Sequence, residues 1–359
     1  MKKLIIKIST IIGGIVLFLV VCSCFTYKVL TGSVSKDQTL KEFTVETGQN
    51  YYSIVNELKE NNLIKSEFFY KLYIKIHKPQ SLQAGKYYLS ESMSVNDIVN
   101  KLSKVNSYNP NAIKITFKEG INMRKIAKLI SENTVNSTED VYDTLSDSKY
   151  LDSLIEKYWF LTDDIKNTNI YYSLEGYLFP DTYEFRDKNV SVQEIFNVML
   201  SEMARKLEPY KEEFENSKYS VHQILTLASI VELEAANKDD RAKVAGVFYN
   251  RLNDNWSLGS DVTTYYAAKV DLSERDLYQT EIDDYNSYNT RNANMAGKLP
   301  IGPICSPSLS SIVATIEPES TDYYFFVADK YKKTYFSKTY YEHNKTISRL
   351  QAEGLWYNY

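Results

Sequence analysis

Apolar and polar positions fall along this chain in blocks of different period. From Ile8 to Phe25 it reads ISTIIGGIVLFLVVCSCF, with no charge between Lys7 and Lys28. About 20 uncharged residues in a helix cover about 30 Å, the thickness of a bilayer core, so a membrane span is predicted. Lys2, Lys3 and Lys7 precede it, which puts the N-terminus in the cytoplasm and the remaining chain outside. No Ala-x-Ala site follows the run, which favours a retained anchor over a cleaved signal peptide. Lipidation at Cys24, after the poor lipobox Val21-Cys22-Ser23, is a third alternative. Thr31 to Gln38 is small and polar and reads as a stalk.

Beyond the stalk a weak repeat recurs 72 residues apart. Phe43-Thr44-Val45 and Ile115-Thr116-Phe117 are short β-rich runs. Each is followed by a Gly turn (Gly48, Gly120) and an Asn at an N-cap position (Asn50, Asn122). Each then opens an amphipathic helix, through Ile54 and Leu58 in the first copy and Ile126 and Ile130 in the second. Between the copies, Gly85 to Leu89 predicts a strand, and Ser94 with Asp97 a capping box for the helix of Ile98 and Leu102. Such β-α units resemble a LysM-like glycan-binding module; a spacer without ligand is the alternative. Asn106 to Asn111 (NSYNPN) reads as the break between units.

Asn136 to Thr168 is polar, with one apolar cluster at Tyr158 to Leu161, and predicts helices and loops. Ser191 with Glu194 predicts a capped helix running to about Phe214, and Ser220 with Gln223 another. Val244 to Leu252 is an amphipathic helix ending in Asn250 and Arg251. Gly259 to Tyr265 reads as a polar loop and Leu299 to Ile304 as a stiff one. Tyr323 to Ala328 predicts a buried strand, with Tyr335 to Ser337 as hairpin partner.

Composition narrows the chemistry. The 359 residues are 43% hydrophobic and 25% charged, which excludes wholesale disorder. A net charge of −4 offers no basic field for nucleic acid. With 3 Cys and 3 His, a disulfide framework and a Cys/His zinc site are both disfavoured. Cys305 reads as a structural thiol, and His222 as a surface residue in a first helical turn. His343 stands beside Glu342 and Asn344, and His77 has no such neighbours. No phosphate loop, HExxH or GxSxG is present.

The helix opened by Ser220 reads VHQILTLASIVELEAA. Ile224, Ala228 and Glu232 share a stripe by i, i+4 spacing, while Glu234 faces elsewhere. Glu232 thus emerges from an apolar run, where desolvation favours a protonated acid suited to general acid catalysis. The bland alternative is a solvated glutamate at a helix end. Ser173 to Tyr183 packs aromatics around Glu175 and Asp181, a make-up common in carbohydrate clefts.

Seven segments, in order, carry a resemblance: SLEGYLFPDTYEF (Ser173–Phe185), LASIVELEA (Leu227–Ala235), VAGVFYNRL (Val244–Leu252), LGSDVTTYY (Leu258–Tyr266), LPIGPICSP (Leu299–Pro307), YYFFVADK (Tyr323–Lys330) and YFSKTYYEHNK (Tyr335–Lys345). With the anchor ahead of them, the chain resembles the endolytic murein transglycosylases of the YceG-like (MltG) family. It departs from the pattern at Val262, Ile301 and Ser308, where the family usually has Pro, Pro and Gly. The resemblance implies an α+β fold with a transmembrane helix, a small LysM-like β-α module and a mixed α/β catalytic domain of the YceG type. The expected boundaries are 1–28 for the cytoplasmic tip and anchor, 29–42 for the linker, 43–108 for the LysM-like module and 109–359 for the catalytic domain. That domain includes the second small β-α unit at about 113–135.

The resemblance also implies a reaction: non-hydrolytic cleavage of the MurNAc-β-1,4-GlcNAc bond of nascent glycan strands, leaving 1,6-anhydroMurNAc ends. Glu232 corresponds to the family's catalytic acid. Glu175, Asp261, Tyr288 and Asn289 are expected to bind substrate. No metal or organic cofactor is implied; peptidoglycan synthases are expected partners, and nucleic acid is not. A muramidase pairing Glu232 with Asp261 or Glu175, or a non-catalytic glycan-binding scaffold, would be the alternative functions.

Overall fold

A computed structural model describes residues 2–104 and 111–356. It divides into two compact units, Met1–Pro110 and Asn111–Tyr359. The expected break at Asn106 to Asn111 lies, apart from Asn111, outside the described residues.

The first unit opens with helix α1 (Lys2–Leu30), whose stretch Gly13–Leu30 is long and apolar enough to cross a membrane. Strand β1 (Lys41–Val45), helices α2 (Val55–Glu60) and α3 (Glu67–His77), strand β2 (Gly85–Leu89) and helix α4 (Val95–Leu102) follow. The two strands pair antiparallel with Phe43 opposite Tyr87. Period-two alternation buries Phe43 and Val45, and they meet Ile54, Leu58, Tyr70, Leu89, Ile98 and Leu102 in one core. The Ser94–Asp97 capping box forms as the sequence predicts. Two features differ from expectation. Asn50 accepts from the Tyr52 and Ser53 N–H groups in a turn, so α2 starts only at Val55. A second helix, α3, capped by Ser66, stands between the strands.

The second unit begins with β3 (Ile113–Thr116), α5 (Met123–Asn133), α6 (Thr138–Ser146) and α7 (Ser148–Lys157). Asn122 caps α5 as expected, its side chain accepting from Lys125 N–H. The repeat is nevertheless incomplete, because β3 pairs with the distant β4 (Thr182–Phe185), Ile115 opposite Tyr183. Helix α8 (Val192–Leu207) stops well short of Phe214, since Pro209 breaks the ladder; a 3₁₀ turn leads into α9 (Lys211–Asn216). Then come α10 (Val221–Glu234), α11 (Arg241–Asn253), α12 (Asp261–Ala267), α13 (Gln279–Ile282) and α14 (Leu309–Ile316). Helix α12 replaces the expected polar loop. The hairpin of β5 (Phe325–Ala328) and β6 (Thr334–Ser337) forms as read, but β5 is only half-buried. Helix α15 (Tyr340–Ala352) covers it. The mixed α+β expectation holds, with the β part confined among the described residues to three two-stranded antiparallel ladders.

Candidate active site

Helix α10 is the spine of the site. Ser220 and Gln223 form the reciprocal cap predicted for its start, and Ile224 to Val231 are all buried. It packs against α11, α12 and α14. Glu232 lies in its last turn, where the helix carbonyls disfavour negative charge and a carboxylate needs donors from elsewhere.

Those donors come from two other helices. Arg241, the first residue of α11, donates from Nη2 to Glu232 Oε1 at 2.8 Å, with side chains only 7% and 6% exposed. The N-terminus of α14 supplies the rest. Oε2 accepts from Ser308 N–H at 2.9 Å, Ser308 Oγ at 2.5 Å and Ser311 Oγ at 2.7 Å. Arg241 Nη1 also donates to the hydroxyls of Ser308, at 2.8 Å, and Ser310. Its Nε is buried without a partner. The apolar walls expected around Glu232 are therefore joined by an ion pair and three hydrogen bonds.

Gly120 closes one side. Its φ of +75° suits glycine, and a Cβ there would stand 3.1 Å from Leu233 and 3.8 Å from Glu232 Cγ. Backbone bonds Gly120 N–H to Ser306 O and Ser306 N–H to Ile121 O tie this turn to the segment leading into α14. A groove of about 750 Å³ lies alongside, walled by Glu119, Phe179, Tyr210, Lys238, Leu309 and Ser310. Ser310 belongs both to this wall and to the Arg241 contacts; Glu232 itself is not part of the wall.

The other expected site residues fall in different places. Glu175 is 2% exposed; its carboxylate accepts from Met123 N–H at the start of α5 and from Tyr266 OH at 3.0 Å. Burial raises its pKa to about 7 against the pull of those donors. Tyr288 is packed between Tyr171 and Tyr266, with ring centroids 4.8 and 4.9 Å away. Asn289 is fully buried, accepting from Thr264 Oγ1 and donating to the carbonyls of Ile282 and Asp284. These three are buried and brace α5, α12 and the loop before residue 290. Asp261 alone of the four is exposed, paired with Arg291 at the start of α12.

Glu234 faces away from Glu232, as its spacing predicts, and accepts from Ser260 Oγ at 2.6 Å; burial raises its pKa. His222 departs from expectation. It is 9% exposed, its Nε2 donating to Ile301 O at 2.8 Å and its Nδ1 meeting Tyr177 OH at 2.7 Å. Cys305 is structural as read: it is fully buried, its thiol donates to Ser229 O, and burial pushes its pKa well up. His343 stacks on Phe325, and burial lowers its pKa. Sequence reasoning missed Arg241 and Ser311 altogether and noted Ser308 only as a departure. No local pattern announces them, since each acts across 9 to 79 residues.

Comparisons with known proteins agree with this architecture. The model of the YceG-like family matches residues 43–349. An endolytic murein transglycosylase of Bacillus subtilis (strain 168) is 39% identical over 333 residues, covering 91% of this chain and 90% of that protein. One from Streptococcus pneumoniae serotype 2 is 30% identical over 321 residues, covering 85% of this chain and 57% of that longer protein. A 2.6 Å crystal structure of a yceG-like protein from Listeria monocytogenes superposes with a TM-score of 0.60 at 33% identity, covering 87% of this chain and all of that one. The chain belongs to the YceG-like family.

Proposed function

We propose that this protein is a membrane-anchored endolytic lytic transglycosylase of peptidoglycan, with Glu232 as its catalytic acid and base. Glu232 protonates the glycosidic oxygen as the bond from muramic C1 breaks. It then takes the proton of the C6 hydroxyl of the same sugar, which closes onto C1 as a 1,6-anhydro end. The second step restores the acid, so one carboxyl serves both and no water is consumed. Intramolecular attack gains further from proximity.

The observation that carries this reading is that no carboxylate stands among the described hydrogen-bond partners of Glu232. Its described partners are a guanidinium, two hydroxyls and an amide. A muramidase needs a second carboxyl as nucleophile or base. Glu175 is buried on the N-terminus of α5 and Asp261 is committed to Arg291, which speaks against both as that partner. Asp261 remains the candidate for contact with substrate at the surface. The names of the relatives support the same reaction.

Within this reading the β1-α2-α3-β2 arrangement serves as a LysM-like module at about 43–108, and the catalytic domain spans 109–359. The span in α1 with its leading lysines supports a cytoplasmic N-terminus and an extracytoplasmic catalytic unit. The anchor keeps that unit near the membrane, where synthases extend new strands, which suits terminating their elongation.

Incubation with uncross-linked glycan strands and mass spectrometry of the products tests the reaction. Wild-type protein is expected to release anhydro-ended fragments, one water lighter than reducing-ended ones, and Glu232→Gln none while keeping its fold. Reducing ends would mean a hydrolase, and near-normal turnover by Glu232→Gln would sink the assignment.

A further inference from the structure

We propose that the Ser308 hydroxyl is a positioning group for Glu232, pinning Oε2 so that Oε1 is the oxygen that exchanges a proton with the glycan. The proposal rests on the transglycosylase reading above. A carboxylate oxygen offers about two lone-pair sites. Oε2 already meets three donors, whereas Oε1 meets only Arg241 Nη2. The open lone pair is therefore on Oε1.

The direction of the Ser308 proton follows from its neighbours. Ser308 Oγ accepts from Arg241 Nη1 at 2.8 Å and from Ser311 N–H at 3.3 Å, so its lone pairs are occupied. Two acceptors stand near its one proton, Ser310 Oγ at 3.1 Å and Glu232 Oε2 at 2.5 Å, and the shorter contact to the charged carboxylate takes it. The residue is 1% exposed, so water does not compete. As Glu232 releases its proton from Oε1 to the glycosidic oxygen, the C1–O bond breaks with its electron pair and negative charge spreads onto Oε2, where the donor already stands. The proton of the C6 hydroxyl returns to Oε1, and Ser308 is unchanged over the cycle.

The charged and titratable groups packed around α10 leave this pair distinct. Arg241 comes from α11, and the Cys305 thiol is kept neutral by burial. On α12, Asp261 faces Arg291 and Tyr266 faces Glu175. On α10 itself Glu234 faces Ser260. Glu119 and Lys238 approach each other at 4.0 Å. Helix α14 carries no titratable side chain among Leu309–Ile316.

Ser308→Gly tests the proposal, because it keeps the amide donor and a tolerated N-cap and removes only the hydroxyl. The expected result is a fall in kcat of about ten- to hundredfold with KM within about twofold. The alkaline limb of kcat against pH moves upward, since a carboxylate that has lost a donor holds its proton to higher pH. A carbon-13 titration of the Glu232 carboxyl, identified by its loss in Glu232→Gln, reads the same change without turnover. An upward midpoint in Ser308→Gly supports the proposal even if the wild type cuts no glycan, in which case the transglycosylase reading alone fails. An unchanged midpoint, or a rise in KM with kcat and pH profile intact, overturns it.

Discussion

Burial of a carboxyl leaves a mark on stability that a solution measurement reads, and Glu175 is the clearest case. Its pKa rises to about 7 in the folded chain, chiefly through burial, against an ordinary value of 4.5. Between those values the folded state holds a proton that the unfolded state has released. Stability therefore falls as pH rises from about 4.5 to about 7 and levels off above, a loss of roughly 3 kcal/mol. Glu175→Gln keeps an acceptor and removes the titration, so urea unfolding of the second unit loses this slope. Equal slopes in both proteins would rule the linkage out. Glu232 was legible in the sequence because its i, i+4 stripe is local. Its partners were not, because Arg241, Ser308 and Ser311 reach it only through packing of α10 against α11 and α14. His222 was misread for the same reason: Tyr177 and Ile301, which bury it, lie 45 and 79 residues away.

At the scale of elements, caps were the signals that survived. Ser94, Asn122, Ser191 and Ser220 each accept the backbone bond read from their position. Helix α12 was missed because Val262, Thr263 and Thr264 are β-branched and poor helix formers; packing of its buried face overrides that preference. Two substitutions probe how the elements hold the site. Ser220→Ala removes the cap of α10 and is expected to cost about 1 kcal/mol, read as a lower urea midpoint at unchanged slope. Gly246→Ala is harsher. In α11 its Cβ would lie 2.3 Å from Glu319 O, so α11 must separate from the segment after α14. A loss of about 2 kcal/mol or more is expected, together with weaker cleavage, because those helices carry Arg241 and Ser308. Wild-type stability in this variant would mean the contact yields freely.

For the whole molecule, the stretch Gly13–Leu30 in α1 is long and apolar enough to cross a membrane, and fractionation tests whether it does. A chain lacking residues 2–30 is expected in the soluble fraction and the complete chain in the membrane fraction. Sedimentation of both with membranes would assign retention to another surface. Without Lys2, Lys3, Lys7 and Lys28 the truncated chain is more acidic than the full chain's −4, which gives it no reason to adhere to anionic lipid.

The spread of the site along the chain also imposes an order in time. Glu232 is synthesised well before Ser308 and Ser311, which stand 76 and 79 residues downstream. During synthesis the carboxyl emerges before the hydroxyls and amide that will hold it. A fragment broken off ahead of α14 carries Glu232 and Arg241 but not the Ser308 and Ser311 donors. An unfinished copy therefore leaves the Glu232 carboxyl without the donors on its Oε2 side.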